Sequence, residues 1–127
     1  MATADISLGI PGRPEYGRVA RVGAAHLAHR RGFTLAEIDD LRLAIDEAVI
    51  MLLGPSPRPG RIEIAYRVGP GVVDVEILSR LDDEQAALPA DRMQRFAELT
   101  TDLVDDVSVD ADERRVRVVK RHVARAV

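Results

Sequence analysis

The stretch Thr34–Leu53, TLAEIDDLRLAIDEAVIMLL, decides how the rest of the chain must be arranged. Thr34 followed at the third position by Glu37 is a capping box, in which each side chain satisfies a free backbone N–H of the other's turn. The spacing predicts a helix starting near Leu35. Leu35, Ile38, Leu41, Ile45, Ala48, Val49 and Leu52 recur at helical intervals and form one apolar stripe, while Asp39, Asp40, Arg42 and Asp46 lie off it. Beside the stripe runs a second line, Leu43, Glu47, Ile50 and Met51, which sets one carboxylate among apolar neighbours. Glu47 is therefore the residue that needs an explanation.

Composition bounds what the helix can belong to. A chain of 127 residues is expected to form a single domain over 1–127, large enough for one core. With 46% hydrophobic and 31% charged residues it has the balance of a soluble globular protein. A net charge of −3 supplies no basic field, so direct nucleic-acid binding is not expected. The chain has no cysteine, which removes disulfides and thiolate metal sites and fits a reducing compartment. No apolar run reaches the roughly 20 residues needed to span a bilayer, and the start MATADISLGIPG lacks the pattern of a signal peptide. A cytoplasmic protein is expected.

On either side of the central helix the pattern resolves into short elements. Asp5–Ile10 alternates weakly and reads as a first strand, broken by Pro11-Gly12-Arg13-Pro14. Glu15–Arg31 reads as a helix with Tyr16, Val19, Val22, Ala25 or His26, and Leu27 inward, leaving Arg18 and Arg21 outward; Gly32 ends it. Gly54–Gly60 is a breaker-rich loop. Arg61–Val68 and Val72–Leu78 alternate strictly around Gly69-Pro70-Gly71 and predict a hairpin with Arg61, Glu63, Arg67, Asp74 and Glu76 on a wet face. Ser79–Pro89 reads as a loop with a polar middle. Asp91–Asp102 reads as a short helix with Met93, Phe96, Ala97 and Leu99 or Thr100 inward. Val104–Val109 and Arg114–Lys120 form a last strand pair around an acidic turn, before a basic tail. The order β-α-α-β-β-α-β-β predicts an α/β (α+β) two-layer sandwich, its mostly antiparallel sheet covered on one face by about three helices.

No free-standing catalytic signature emerges. There is no Gly-rich phosphate loop, His26, His29 and His122 do not form a metal-binding pair, and no serine has a nucleophile-elbow context, so no metal site is expected.

The runs DDLRLAIDEAVIMLL, RIEIAYRVGPGVVDVEI and LVDDVSVD, followed by a closing RVRVVKRH strand, together resemble the anti-sigma factor/serine-threonine kinase family of the GHKL (histidine-kinase-like ATPase) superfamily. The resemblance runs from Ile6 to His122. It implies a Bergerat-like mixed sheet, an ATP–Mg²⁺ site and a place in a partner-switching module. In that family the central helix carries a Glu-x-x-x-Asn box; Glu47 matches the glutamate, but Met51 stands at the asparagine that ligates Mg²⁺. A thioether cannot replace a carbonyl oxygen for a hard octahedral cation. The Asp-x-Gly-x-Gly that receives adenine aligns with Ser79-Arg80-Leu81-Asp82-Asp83, serine for aspartate and no glycine. The final Gly-x-Gly aligns with Gln94-Arg95-Phe96, where Phe96 would stand against the γ-phosphate.

The resemblance thus implies a degenerate nucleotide site at Glu47, Met51, Ser79 and Phe96, with Glu47 a relic general base, no cofactor expected, and a pocket filled by Met51, Leu81 and Phe96. The expected protein is a pseudokinase that binds a sigma factor or an anti-anti-sigma (STAS) protein without ATP. Counting back from Glu47 places Arg21 at the family's partner-contacting arginine, with Arg18 one turn earlier, and the family implies a homodimer. Two alternatives stay open. One is an active ATP- and Mg²⁺-dependent serine/threonine kinase of an anti-anti-sigma protein. The other is an unrelated α/β enzyme or small-ligand binder using Glu47 and Asp46, whose signature would be an open polar pocket.

Overall fold

In a computed structural model, which describes residues 4–82 and 88–123, the central helix α2 spans Leu35–Leu53 and starts with the expected capping box. Thr34 N–H donates to Glu37 Oε1 at 2.7 Å, and Glu37 N–H donates to Thr34 Oγ1 at 3.1 Å. Around it lie β1 (Ile6–Pro11), a 3₁₀ turn (Pro14–Tyr16), α1 (Gly17–Arg30), β2 (Gly60–Gly69), β3 (Val72–Leu81), α3 (Ala90–Thr100), β4 (Asp106–Asp110) and β5 (Arg115–Arg121). The strands form one sheet in the order β1-β2-β3-β5-β4. Every pairing is antiparallel, so the parallel component of a mixed sheet is not found among the described residues. The expected two-layer α+β architecture is otherwise as read from the sequence.

Strict alternation along β2 and β3 separates the two faces of the sheet. Ile62, Ile64, Tyr66, Val73, Val75 and Ile77 are buried under the helices, joined by Val116 and Val118 of β5. The other face carries cross-strand ion pairs: Arg117 grips Asp74 through two nitrogens at 3.0 and 2.7 Å, and Arg80 lies 3.5 Å from Glu63. These exposed pairs fix register more than they add stability.

Three departures from the sequence reading have physical causes. The inward face of α1 is Gly17, Ala20, Ala24 and Ala28, whereas Tyr16, Val19 and Val22 are 42–53% exposed. Helix axes approach as closely as the side chains between them allow, and α1 lies close to both α2 and the sheet. A Cβ on Gly17 would meet Val49 at 3.4 Å, and Tyr66 O–H donates to the Ala20 carbonyl at 2.7 Å. Only small residues fit there, so Tyr16, Val19 and Val22 turn outward, while Leu27 is partly buried against the core as expected. Second, Leu35 is 75% exposed, because it sits at the first turn before the helix passes under its neighbours. Third, β3 continues to Leu81 because Gly60, Arg61 and Ile62 supply register partners for Leu81, Arg80 and Ser79. Ser79–Leu81 is therefore strand and not loop. The polar middle of that expected loop, 83–87, and the basic tail beyond 123 lie outside the described residues.

In α3, Phe96 and Thr100 are buried and Met93 is partly covered, but Ala97 and Leu99 face solvent. The chain's single lysine, Lys120, ties the layers together: its Nζ donates to the Leu103 carbonyl at 2.7 Å and lies 3.7 Å from Asp40 of α2.

The end of β5 returns to the start of α2. His122 Nδ1 is 2.7 Å from Glu37 Oε1, Val123 N–H donates to Glu37 Oε2 at 2.9 Å, and the His122 ring packs on Phe33 with centroids 5.7 Å apart. Burial pushes the Glu37 carboxyl upward. Hydrogen bonds from His122, the Thr34 and Val123 N–H groups and the Thr34 hydroxyl outweigh burial and pull it from an ordinary 4.5 to about 2. A depressed carboxyl contributes stability above its unfolded value and loses it as pH falls toward the folded one. Glu37→Gln keeps a neutral acceptor for the capping box but removes the charge that strengthens the bonds from His122 and Val123, and should thus destabilise the fold by about 1 kcal/mol at pH 7. Urea titrations at stepped pH should show the gap closing between pH 4.5 and about 2; a gap independent of pH would contradict this role.

Candidate functional site

The amphipathic pattern of α2 leaves one ridge outside. Inward, Leu41, Ala44, Ile45, Ala48 and Leu52 are fully covered. Outward, Leu43 and Ile50 are each about half exposed, and Glu47 stands between them at helical i, i+4 and i+7 spacing. Each flank of this ridge is a cleft.

The cleft toward α1, about 420 Å³, is lined by Arg18, Arg21, Leu43, Asp46, Glu47 and Ile50, with Glu15 and Gly17 at one end. Arg18 is exposed as expected. Arg21 is not freely solvated. It is about 29% exposed and its Nη1 donates to Asp46 Oδ2 at 2.8 Å across the helix pair, while its Nε is buried with no hydrogen-bond partner. The pair holds one guanidinium in a fixed orientation at the surface, where an arginine's remaining donors stay available to a second acceptor. Val22, one turn beyond Arg18, adds exposed apolar surface.

The cleft toward α3, about 320 Å³, is lined by Glu47, Ile50, Met51, Gly54, Pro55, Arg92, Arg95 and Phe96. Three of the four residues of the expected degenerate nucleotide site, Glu47, Met51 and Phe96, therefore meet here. Ser79 does not: it lies in β3, only 4% exposed, with its N–H donating to the Arg114 carbonyl at 3.0 Å. Met51 and Phe96 are packed into the helix layer at 2% and 1% exposure, and Leu81 is buried as well, but it does not line this cleft. Gln94–Phe96 fall in the middle of α3 and not at its start, and mid-helix N–H groups are engaged by the preceding turn. Glu47 has one ionic neighbour among the described residues, Arg95, whose Nε is 3.9 Å away. That distance is an ion pair without a hydrogen bond.

Arg92 and Arg95 carried no weight in the sequence reading. Their placement depends on α3 packing against the end of α2: a Cβ on Gly54, which has φ +82°, would lie 2.9 Å from the Arg92 guanidinium. No local pattern encodes that approach. Among the described residues no cluster of three or more His, Asp or Glu side chains is placed to hold a metal ion, and no helix is long and apolar enough to cross a membrane.

No known family profile matches the chain. It is 30% identical over 78 residues to serine-protein kinase RsbW of Oceanobacillus iheyensis, which is 59% of this chain and 49% of that protein. It is 28% identical over 75 residues to serine-protein kinase RsbW of Listeria innocua, 57% of this chain and 48% of that protein. A shorter match reaches 39% identity over 44 residues of the Listeria monocytogenes protein of the same name, 35% of this chain and 28% of that one. The chain thus spans about half the length of the first two of these relatives. The resemblance read from the sequence is borne out: the chain is a diverged relative of serine-protein kinase RsbW.

The packing of Met51 makes a direct check possible. Met51→Asn introduces the side chain that the resemblance would lead one to expect here, and it places a polar group where the methionine is 2% exposed. Loss of apolar burial and an unsatisfied amide together should cost about 2–4 kcal/mol, read as a lower urea midpoint. Unchanged stability would mean that the site is open enough to solvate the amide.

Proposed function

We propose that the protein is a nucleotide-independent regulator of the anti-sigma type, which binds a sigma factor or an anti-anti-sigma (STAS) protein in a partner-switching module. The observation that carries this reading is the contrast between the two flanks of α2. On the α1 flank, a groove presents Arg18, the Arg21–Asp46 pair and the exposed apolar side chains of Leu43 and Ile50. Apolar surface rimmed by oriented guanidinium groups is the usual composition of a protein-binding patch.

On the α3 flank, the residues present do not fit Mg²⁺–ATP. Phosphoryl transfer depends on a metal and on backbone donors around the phosphates. Met51 offers no oxygen, and Phe96 lies within a helix whose N–H groups are already used. The similarity to serine-protein kinases supports descent from a kinase architecture. It also supplies the competing reading, an active kinase that phosphorylates an anti-anti-sigma protein through Glu47. A cytoplasmic homodimer completes the proposal and follows from the same descent.

The test is binding of the purified chain to the host's sigma factors and STAS proteins, with Arg18→Ala and Arg21→Ala in parallel. Each variant should weaken binding about tenfold, or roughly 1.4 kcal/mol, while Arg18→Ala leaves the melting curve unchanged. Wild-type affinity in both variants would overturn the assignment of this surface. Transfer of phosphate from ATP to a bound STAS protein would favour the kinase instead.

A further inference from the structure

The α2–α3 cleft has a chemistry of its own, although it shares Glu47 and Ile50 with the groove on the other flank of α2. Its floor and one wall are Met51, Phe96 and Ile50, all apolar. Its rim carries two guanidinium groups, Arg92 and Arg95, against one carboxylate, Glu47. Arg95 sits 3.9 Å from Glu47, and Arg92 has no carboxylate partner among the described residues. Among the described residues the rim therefore has one more guanidinium than carboxylate, held above an apolar floor. A volume of about 320 Å³ is at the lower end of the range for small-molecule sites, roughly 300–1,000 Å³.

We propose that this cleft binds a small apolar monoanion, an alkyl or aryl carboxylate. Its hydrocarbon body would lie on Met51, Phe96 and Ile50, and its carboxylate would be taken by Arg92 and Arg95. Planar guanidinium forks match a carboxylate with two parallel hydrogen bonds. Glu47 sets the upper limit on ligand charge, because it repels a polyanion approaching the same rim, and the engaged N–H groups of mid-α3 add nothing for a phosphate chain. A neutral ligand of the same shape would leave the surplus guanidinium charge uncompensated.

The probes are octanoate and octan-1-ol, titrated into the full chain by calorimetry and followed by ligand-observed NMR. Octanoate should bind at least tenfold more tightly than octan-1-ol. The Arg92→Ala/Arg95→Ala double variant should lose that advantage while binding octan-1-ol unchanged. Ile50→Trp, at a half-exposed position that tolerates a large side chain, should fill the cleft and weaken both ligands. Equal affinity for the two probes overturns the proposal, as does octanoate binding that survives the double arginine variant or Ile50→Trp.

Discussion

Burial of α2 on three flanks is the constraint from which the rest of the structure follows. The sheet lies beneath it, the small face of α1 covers one side and Phe96 of α3 the other. A helix enclosed in this way must place small residues wherever a neighbouring backbone comes close, and Ala44 and Ala48 are fully covered. Dense packing leaves no slack for exchange of volume between the three flanks. Past its first turns the helix leaves Leu43 and Ile50 about half exposed with Glu47 between them, and this part of its outer ridge borders both clefts.

Much of this was legible locally. The Thr34–Glu37 cap and the alternation of β2 and β3 are patterns of a few residues, each with a direct physical cause, and they appear where expected. What was not legible depends on partners far along the chain. The inward face of α1 was misread because large apolar residues normally mark the buried side. Here proximity to α2 and to Tyr66 reverses that rule. The extension of β3 through Ser79–Leu81 is set by register with Gly60–Ile62, not by its own composition. The closure of His122 onto Glu37 joins residues 85 apart.

The candidate site divides along the same line. Glu47, Met51 and Phe96 came from aligned motifs and do share a cleft. Ser79 came from the same comparison and lies elsewhere, since its strand runs on where a loop was expected. Arg92 and Arg95 became visible only once α3 was placed against the end of α2. Arg21 was expected to be a surface residue and proves to be half-buried, oriented by Asp46.

The chain is related to serine-protein kinases, and on the proposed reading the apolar lining of one cleft opposes nucleotide chemistry while the other cleft serves as a surface for a protein. Calorimetric titration of the chain with Mg²⁺–ATP separates the two outcomes most directly. No saturable heat up to millimolar nucleotide is expected. Stoichiometric binding that disappears in Glu47→Ala would contradict the loss of the nucleotide site.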